Sequence, residues 1–526
     1  MSLASLSYRD TGRFSPIVLD YLDQTPALQE HYTRPPTAQG LADAANARTF
    51  DPATRKALCS ALESQYAGMR VQPEVRRNLD LLAKPNTLTV TTGHQLNLFT
   101  GPLYVPFKLL NVIKLARTLS TPEQAVVPVF WMATEDHDRA EIDHTYINGN
   151  KVEWPGEADG AVGRMRLDGI GEVLHTVDEL LGTGSHADAM RVLLRDCYRP
   201  EYTWAEATRR FADALFGRFG LVILDADDAG LKKQFAPVMR EELLNEVAVR
   251  SVEYANAKLA EHYKVQAHAR PINLFHLRPG HRSRIELQGD HYQVLDGGPR
   301  FTLDELLNEL DKHPENFSPN VLLRPVYQEV VLPNIAYVGG GGELAYWLQL
   351  RWLFQAVQVP LPVLMLRTSA AIISAKNVER AKKLGLSIPE LFKPAEALQA
   401  KTAKTQASFT TDIAAEQEAA KAFYAALAQR ASAADPTLHG AVEAMAKRAQ
   451  HGLERLEKKL LRAAKRQQQE PLEQLDRVLE NLFPGGGLQE RRENFMPWYT
   501  QEGPAFFDRL LEELDPLDAR FKVLGE

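Results

Sequence analysis

Apolar and polar positions change their period twice along the chain. Up to about residue 85 the pattern reads as helices and loops, punctuated by Pro35-Pro36 and Pro52. Beyond that point, short apolar or β-branched runs alternate with stretches of helical period. Residues 88–92 read as a strand, 102–119 as a helix and 126–133 as a buried strand. Such a strand-helix-strand unit predicts parallel neighbours joined by a right-handed crossover. Further strand candidates lie at 221–224, at 285–287 with 292–295, at 337–338 and at 361–366, and helical stretches at 204–219 and 342–358 feed two of them. Several of these runs are continuously apolar, as strands covered on both faces are. The fold class expected is α/β: a Rossmann-like, doubly wound parallel core over residues 1–370, with inserted segments near 150–200 and 265–310.

After residue 370 the pattern turns to Ala, Lys, Glu, Gln and Arg with few β-branched residues. Leu438, Val442, Met445, Ala449, Leu453, Leu456, Leu460 and Ala463 step by three or four. A helix over 436–469 would be roughly 50 Å long and needs a partner, either the stretch near 409–431 or another subunit. Residues 371–484 are therefore expected to form an α-helical coiled-coil arm. Phe483-Pro-Gly-Gly-Gly487 breaks it, and 485–526 is expected to return to the core.

The chain has 526 residues, long enough for two or three domains, with 44% hydrophobic and 25% charged residues, the balance of a folded globular protein. A net charge of −7 gives no general attraction for polyanions, which argues against nucleic acid. Eight Lys or Arg against two Glu between Lys447 and Arg466 read as a solvated helix face, with a polyanion partner as the other reading. Cys59 and Cys197 alone make neither a zinc set nor a disulfide framework. The N-terminus lacks the pattern of a signal peptide and no apolar run could span a bilayer, so a cytoplasmic protein without membrane contact is expected.

Candidate chemistry gathers at the predicted strand ends. In the loop from Thr91 to Pro102, Gly93 and Gly101 allow close backbone approach, while Pro102 suits a first helical position with Thr100 as its cap. Such a helix start favours carboxylate or phosphate; His94, Gln95 and Asn97 add polar contacts and Lys108 adds charge. An ordinary capped turn is the plain alternative. After the next strand, Glu135, Asp136, His137 and Asp138 would face the same crevice, and a carboxylate beside an imidazole makes a general base. With Glu141, Asp143 and His144 the stretch also resembles a metal cluster, but it lacks the usual two-histidine helix spacing, and no metal is expected. Arg324 precedes a glycine run, Gly339 to Gly342, leading into Glu343, which could accept from hydroxyls or an ammonium. A flexible turn also explains such a run. Arg367 and Ser369, at another strand end, could hold an anion or simply cap the surface.

The sequence resembles the bacillithiol biosynthesis cysteine-adding enzyme family. The resemblance rests on Thr92-Gly-His-Gln95 with Thr100-Gly-Pro-Leu-Tyr104 and Lys108, and on Pro128-Val-Phe-Trp131 with Glu135-Asp-His-Asp138. It continues through Arg324-Pro, Val338-Gly-Gly340, Glu343, Tyr346 and Gln349 to Leu482-Phe-Pro484 and Leu488-Gln-Glu-Arg491. It implies a Rossmann-like core similar to class I aminoacyl-tRNA synthetases and a coiled-coil arm that pairs subunits into a homodimer. It also implies a ligase that joins cysteine's carboxyl to the amine of glucosaminyl-malate, giving bacillithiol. Members often carry Gln where His94 stands, which moves the base role to His137 with Asp136 or Asp138.

Forming an amide from a carboxylate needs activation, most simply as an acyl adenylate from ATP. In that scheme Gly339 to Glu343 hold the ribose or the cysteine ammonium, and Arg324 or Arg367 hold the malate carboxylates. A class I synthetase-like nucleotidyl transferase is the competing enzyme reading, although neither a His-x-Gly-His nor a Lys-Met-Ser-Lys-Ser sequence occurs. The competing non-enzymatic reading is a coiled-coil assembly protein with a degenerate α/β domain.

Overall fold

The computed structural model describes residues 2–157 and 160–526. Its centre is a parallel sheet of β1 (Leu88–His94), β2 (Val126–Met132), β3 (Val222–Asp225), β4 (Asn334–Gly339) and β5 (Val363–Leu366), in the order β5-β4-β1-β2-β3. Every residue of β2 and β4 is buried. Alternate side chains go to opposite faces. Val127, Val129 and Trp131 join one apolar core, and Val126, Phe130 and Met132 join the other. The second core is capped by α1 (Tyr104–Leu119), most of whose residues are buried. The chain runs outward from β1 through β2 to β3, then returns to the other side of β1 for β4 and β5. The strand order therefore reverses between β1 and β4, the place where such sheets open a crevice beyond their carboxyl ends.

Residues near 144–197 add a hairpin and two helices. A separate five-stranded antiparallel sheet lies between Leu274 and Pro319. The candidate strands at 285–295 belong there, as the hairpin His281–Gln288 with His291–Val294, and not to the core. Their alternating burial is that of a sheet wet on one side. Strand Arg520–Gly525 lies between Ser2–Ser7 and Ala370–Ile373, so the two ends of the chain meet. The N-terminal strand, half of it serine, carries little β propensity and is held by its pairing partner.

In the arm, the helix expected over 436–469 runs from His439 to Gln467, about 44 Å. Pro436 opens a short 3-10 turn whose Thr437 amide is capped by Asp435, and the backbone leaves helical geometry at Gln468. This helix packs on Ala414–Ala434 of the same chain. Ala414–Ala434 buries none of its residues, and Phe423, Met445, Leu438 and Leu456 are exposed. Among the described residues no helix is long and apolar enough to cross a membrane.

Candidate active site

A crevice of about 820 Å³ opens at the β1/β4 switch. Gly93 and His94 at the end of β1 with Gln95 after it, Glu135 to His137 after β2, and Gly340 to Glu343 after β4 all line it, and the antiparallel insertion closes the far wall with Arg270, Arg282 and Arg284.

The loop that follows β1 is not a capped helix start. Phe99, Thr100 and Gly101 all take positive φ, and α1 begins at Tyr104 with Leu103 before it. Asn494 imposes this shape from far along the chain, donating to the carbonyls of Phe99 (3.1 Å) and Gly101 (2.8 Å). A Cβ on Gly101 would come within 2.5 Å of Asn97 Cβ, which places Asn97 inside the loop and away from the crevice wall.

Lys108 is fully buried beneath the floor. Its ammonium lies 2.6 Å from Glu343 Oε2 and donates to the Gly93 carbonyl at 2.8 Å, so it supports the crevice from behind and offers no charge to a ligand. Glu343 also accepts from the Tyr337 hydroxyl (2.6 Å) and from the Gly340 amide (2.8 Å), which closes the first turn of helix Gly341–Trp347. Burial pushes its carboxyl up, but Lys108 and His94 outweigh burial and hold it at about 2, so it is an anion. Burial, reinforced by Lys108, drives His94 down to about 3 and keeps its imidazole neutral. The ring packs edge-on against Tyr104, and Nε2 is buried without a partner.

Arg324, on helix Leu323–Val331, reaches the crevice beneath Gly93. A Cβ on Gly93 would meet its Nη1 at 3.0 Å, so glycine is needed here for space and not for its backbone angles. The guanidinium faces the rings of Tyr337 and Trp347 at 5.7 and 5.9 Å, and Nη2 has no partner. Burial works against its charge, but Tyr346, Tyr337 and Glu343 raise its pKa overall. Arg367 lines the crevice, but its guanidinium is already paired: Glu490 takes Nη2 at 2.7 Å and Nη1 at 3.0 Å, and Tyr104 covers it. Ser369 accepts from Arg367 behind the wall. Gln349 lies outside the crevice, where it binds the backbone of Gln266 and Ala267.

On the other side of the crevice, His137 does not have the geometry of a base. Arg282 Nη1 donates to its Nδ1 at 2.8 Å, which leaves the proton of the neutral ring on Nε2 and occupies the lone pair a base would use. Burial and Arg282 both lower its pKa. Asp136 accepts from the backbone amides of His137 and Asp138 and from Gln95 Nε2 (2.8 Å), and so shapes the turn without orienting the imidazole. Asp138 is exposed and does not line the crevice. Beneath this turn Glu135 and Asp227 share the buried Lys232, each at 2.8 Å. Asp227 also takes Arg164 through two nitrogens, at 2.5 and 2.8 Å. Burial raises Glu135; for Asp227, burial is outweighed by Lys232 and Arg164, which bring it to about 2. Among the described residues no group of three or more His, Cys, Asp or Glu is placed to share one cation.

Several contributors went unseen in the sequence. Arg282 and Arg270 come from an insertion with no recognisable motif. Asp227 follows a predicted strand and could have been found by the strand-end rule applied to Glu135. Arg491 lines the crevice, and Glu490 stands in a motif that sequence reading used only for likeness.

Fold and crevice together define a Rossmann-like protein with a polar crevice at the switch point of a parallel sheet. The family described as bacillithiol biosynthesis BshC, N-terminal Rossmann-like domain, matches residues 1–368, and its C-terminal coiled-coil domain matches 370–526. The chain belongs to this family. It is 39% identical to a protein of Flavobacterium johnsoniae over 99% of both chains. It is 38% identical to one of Christiangramia forsetii over 99% of this chain and 98% of the other, and 33% identical to one of Salinibacter ruber over 98% and 97%. All three relatives are named "Putative cysteine ligase BshC".

Proposed function

We propose that this protein is a cysteine ligase that joins the carboxyl of L-cysteine to the amine of glucosaminyl-malate, using ATP to activate the carboxyl. The observation that carries the reading is the full-length likeness to relatives named as cysteine ligases, on a chain whose switch-point crevice holds opposite charges. Glu343, an anion that accepts from the Tyr337 hydroxyl, and Arg324, which faces the Tyr337 ring, both line the crevice and suit the ammonium and carboxylate of an amino acid. Cysteine's carboxylate attacks the α-phosphorus of ATP and pyrophosphate leaves; the sugar amine then attacks the carbonyl and AMP leaves. The arginines of the insertion wall, Arg270 and Arg284, supply the charge that the malate carboxylates require. Within a pair of subunits, the exposed apolar positions Phe423 and Met445 on the arm form the contact between copies.

Purified protein given cysteine, ATP and glucosaminyl-malate is expected to release one pyrophosphate for each bacillithiol formed, as read by mass spectrometry. Absence of any ATP-dependent product sinks the reading. Phe423→Glu with Met445→Glu is expected to halve the mass in light scattering, and an unchanged mass removes the arm contact.

A further inference from the structure

Arg324 is fixed by a hydrogen-bonded relay that runs away from the crevice. Its Nη1 donates to Gln328 Oε1 at 3.2 Å. Gln328 Nε2 donates to Glu329 Oε1 at 2.7 Å, and Asn334 Nδ2 donates to the same oxygen at 2.8 Å. Asn334 Oδ1 in turn accepts from the Thr91 hydroxyl at 2.9 Å, which ties the relay to β1. Gln328, Glu329 and Asn334 are all buried, and none lines the crevice.

An amide has one accepting and one donating end. Because Glu329 accepts, Gln328 must turn its NH₂ toward the carboxylate and its oxygen toward Arg324. Reversed, the amide would set donor against donor at Arg324 and acceptor against acceptor at Glu329. We propose that Glu329 is a positioning residue: acting through Gln328, it holds the Arg324 guanidinium at the crevice wall beneath Gly93, where it receives the carboxylate of the amino-acid substrate. The inference rests on the proposed cysteine ligation for the identity of that carboxylate. The accepting atom at Oε1, and not the negative charge, is what the relay requires. Glu329 Oε2 has no partner, and burial raises the carboxyl to about 7, so an uncharged occupant suits the site.

The test compares Glu329→Leu, Glu329→Gln and Gln328→Leu. In E329L and Q328L the KM for L-cysteine is expected to rise roughly tenfold, with kcat within about twofold. E329Q keeps an oxygen for both donors and is expected to restore the wild-type KM. Crystal structures read the relay without activity: Arg324 should leave its place in E329L and keep it in E329Q. Arg324 unmoved in E329L, an unchanged cysteine KM, or a fall in melting temperature alone overturns the inference. If E329L fails to fold, Q328L and E329Q carry the same comparison. If wild-type protein makes no product, the proposed function fails, while the crystal structures still decide the relay.

Discussion

Two lysines are buried beside the same crevice, and their surroundings differ in kind. Lys108 has one carboxylate, Glu343, which also takes a phenol and a backbone amide and is held at about 2. Lys232 has two, and only one of them is firmly ionised: Arg164 secures Asp227, while burial raises Glu135. The first corner has a fixed charge pattern. The second can absorb a proton, because two carboxylates competing for one cation titrate as a set. A rigid corner suits recognition of a charged group, and a corner that exchanges a proton suits a place where protons move.

Removing each lysine should separate the corners. Lys108→Met leaves Glu343 without its cation and is expected to cost about 3 kcal/mol in a denaturant melt. Restoring that loss with K108M/E343L, but not activity, would mark the pair as one unit; a melt unchanged by K108M would contradict it. Lys232→Met should cost less, about 2 kcal/mol at neutral pH, because Arg164 remains and Glu135 can take up a proton. With the carboxyl of Glu135 raised further, the folded state binds more protons than the unfolded one, so stability falls as pH rises. The K232M penalty should therefore shrink toward pH 5, and a penalty constant from pH 5 to 8 would refute the exchangeable corner.

Glu343 has the opposite sign. Its folded carboxyl lies below the ordinary 4.5, so its contribution is complete above that pH and is lost as pH falls toward 2. E343Q should flatten acid unfolding in that window, whereas an acid limb matching wild type would show that Glu343 carries none of it. Smallest of all, Gly93→Ala should push Arg324 by a few tenths of an ångström and raise the cysteine KM about threefold with little change in melting temperature. A KM equal to wild type would mean that Arg324 has room to spare.

The sheet was readable because β2, β3 and β5 leave unbroken apolar runs, whereas only residues 337–338 of β4 were legible. Gly93, Glu135 and Glu343 were readable as polar or small residues directly after such runs. Their partners were not. Arg282 meets His137 across 145 positions and removes the lone pair that made His137 look like a base. Asn494 sets the backbone of Phe99 to Gly101, where local rules alone favour a capped helix. Arg367 looked available for an anion only while Glu490 was out of sight. Motif spacing locates strand ends, but the use of a side chain depends on what folding brings to it.

The arm leaves the core after Ile373 and comes back at Gln489, whose side chain accepts from the Ile372 amide at 2.8 Å and donates to its carbonyl at 2.9 Å. Both roots are thus stapled at one residue, and the arm is topologically a long excursion from a closed base. The entropy of closing such an excursion grows only logarithmically, about 0.6 kcal/mol for each doubling of its length. Helical turns could be added to or removed from the arm at small cost, without altering the geometry inside the crevice.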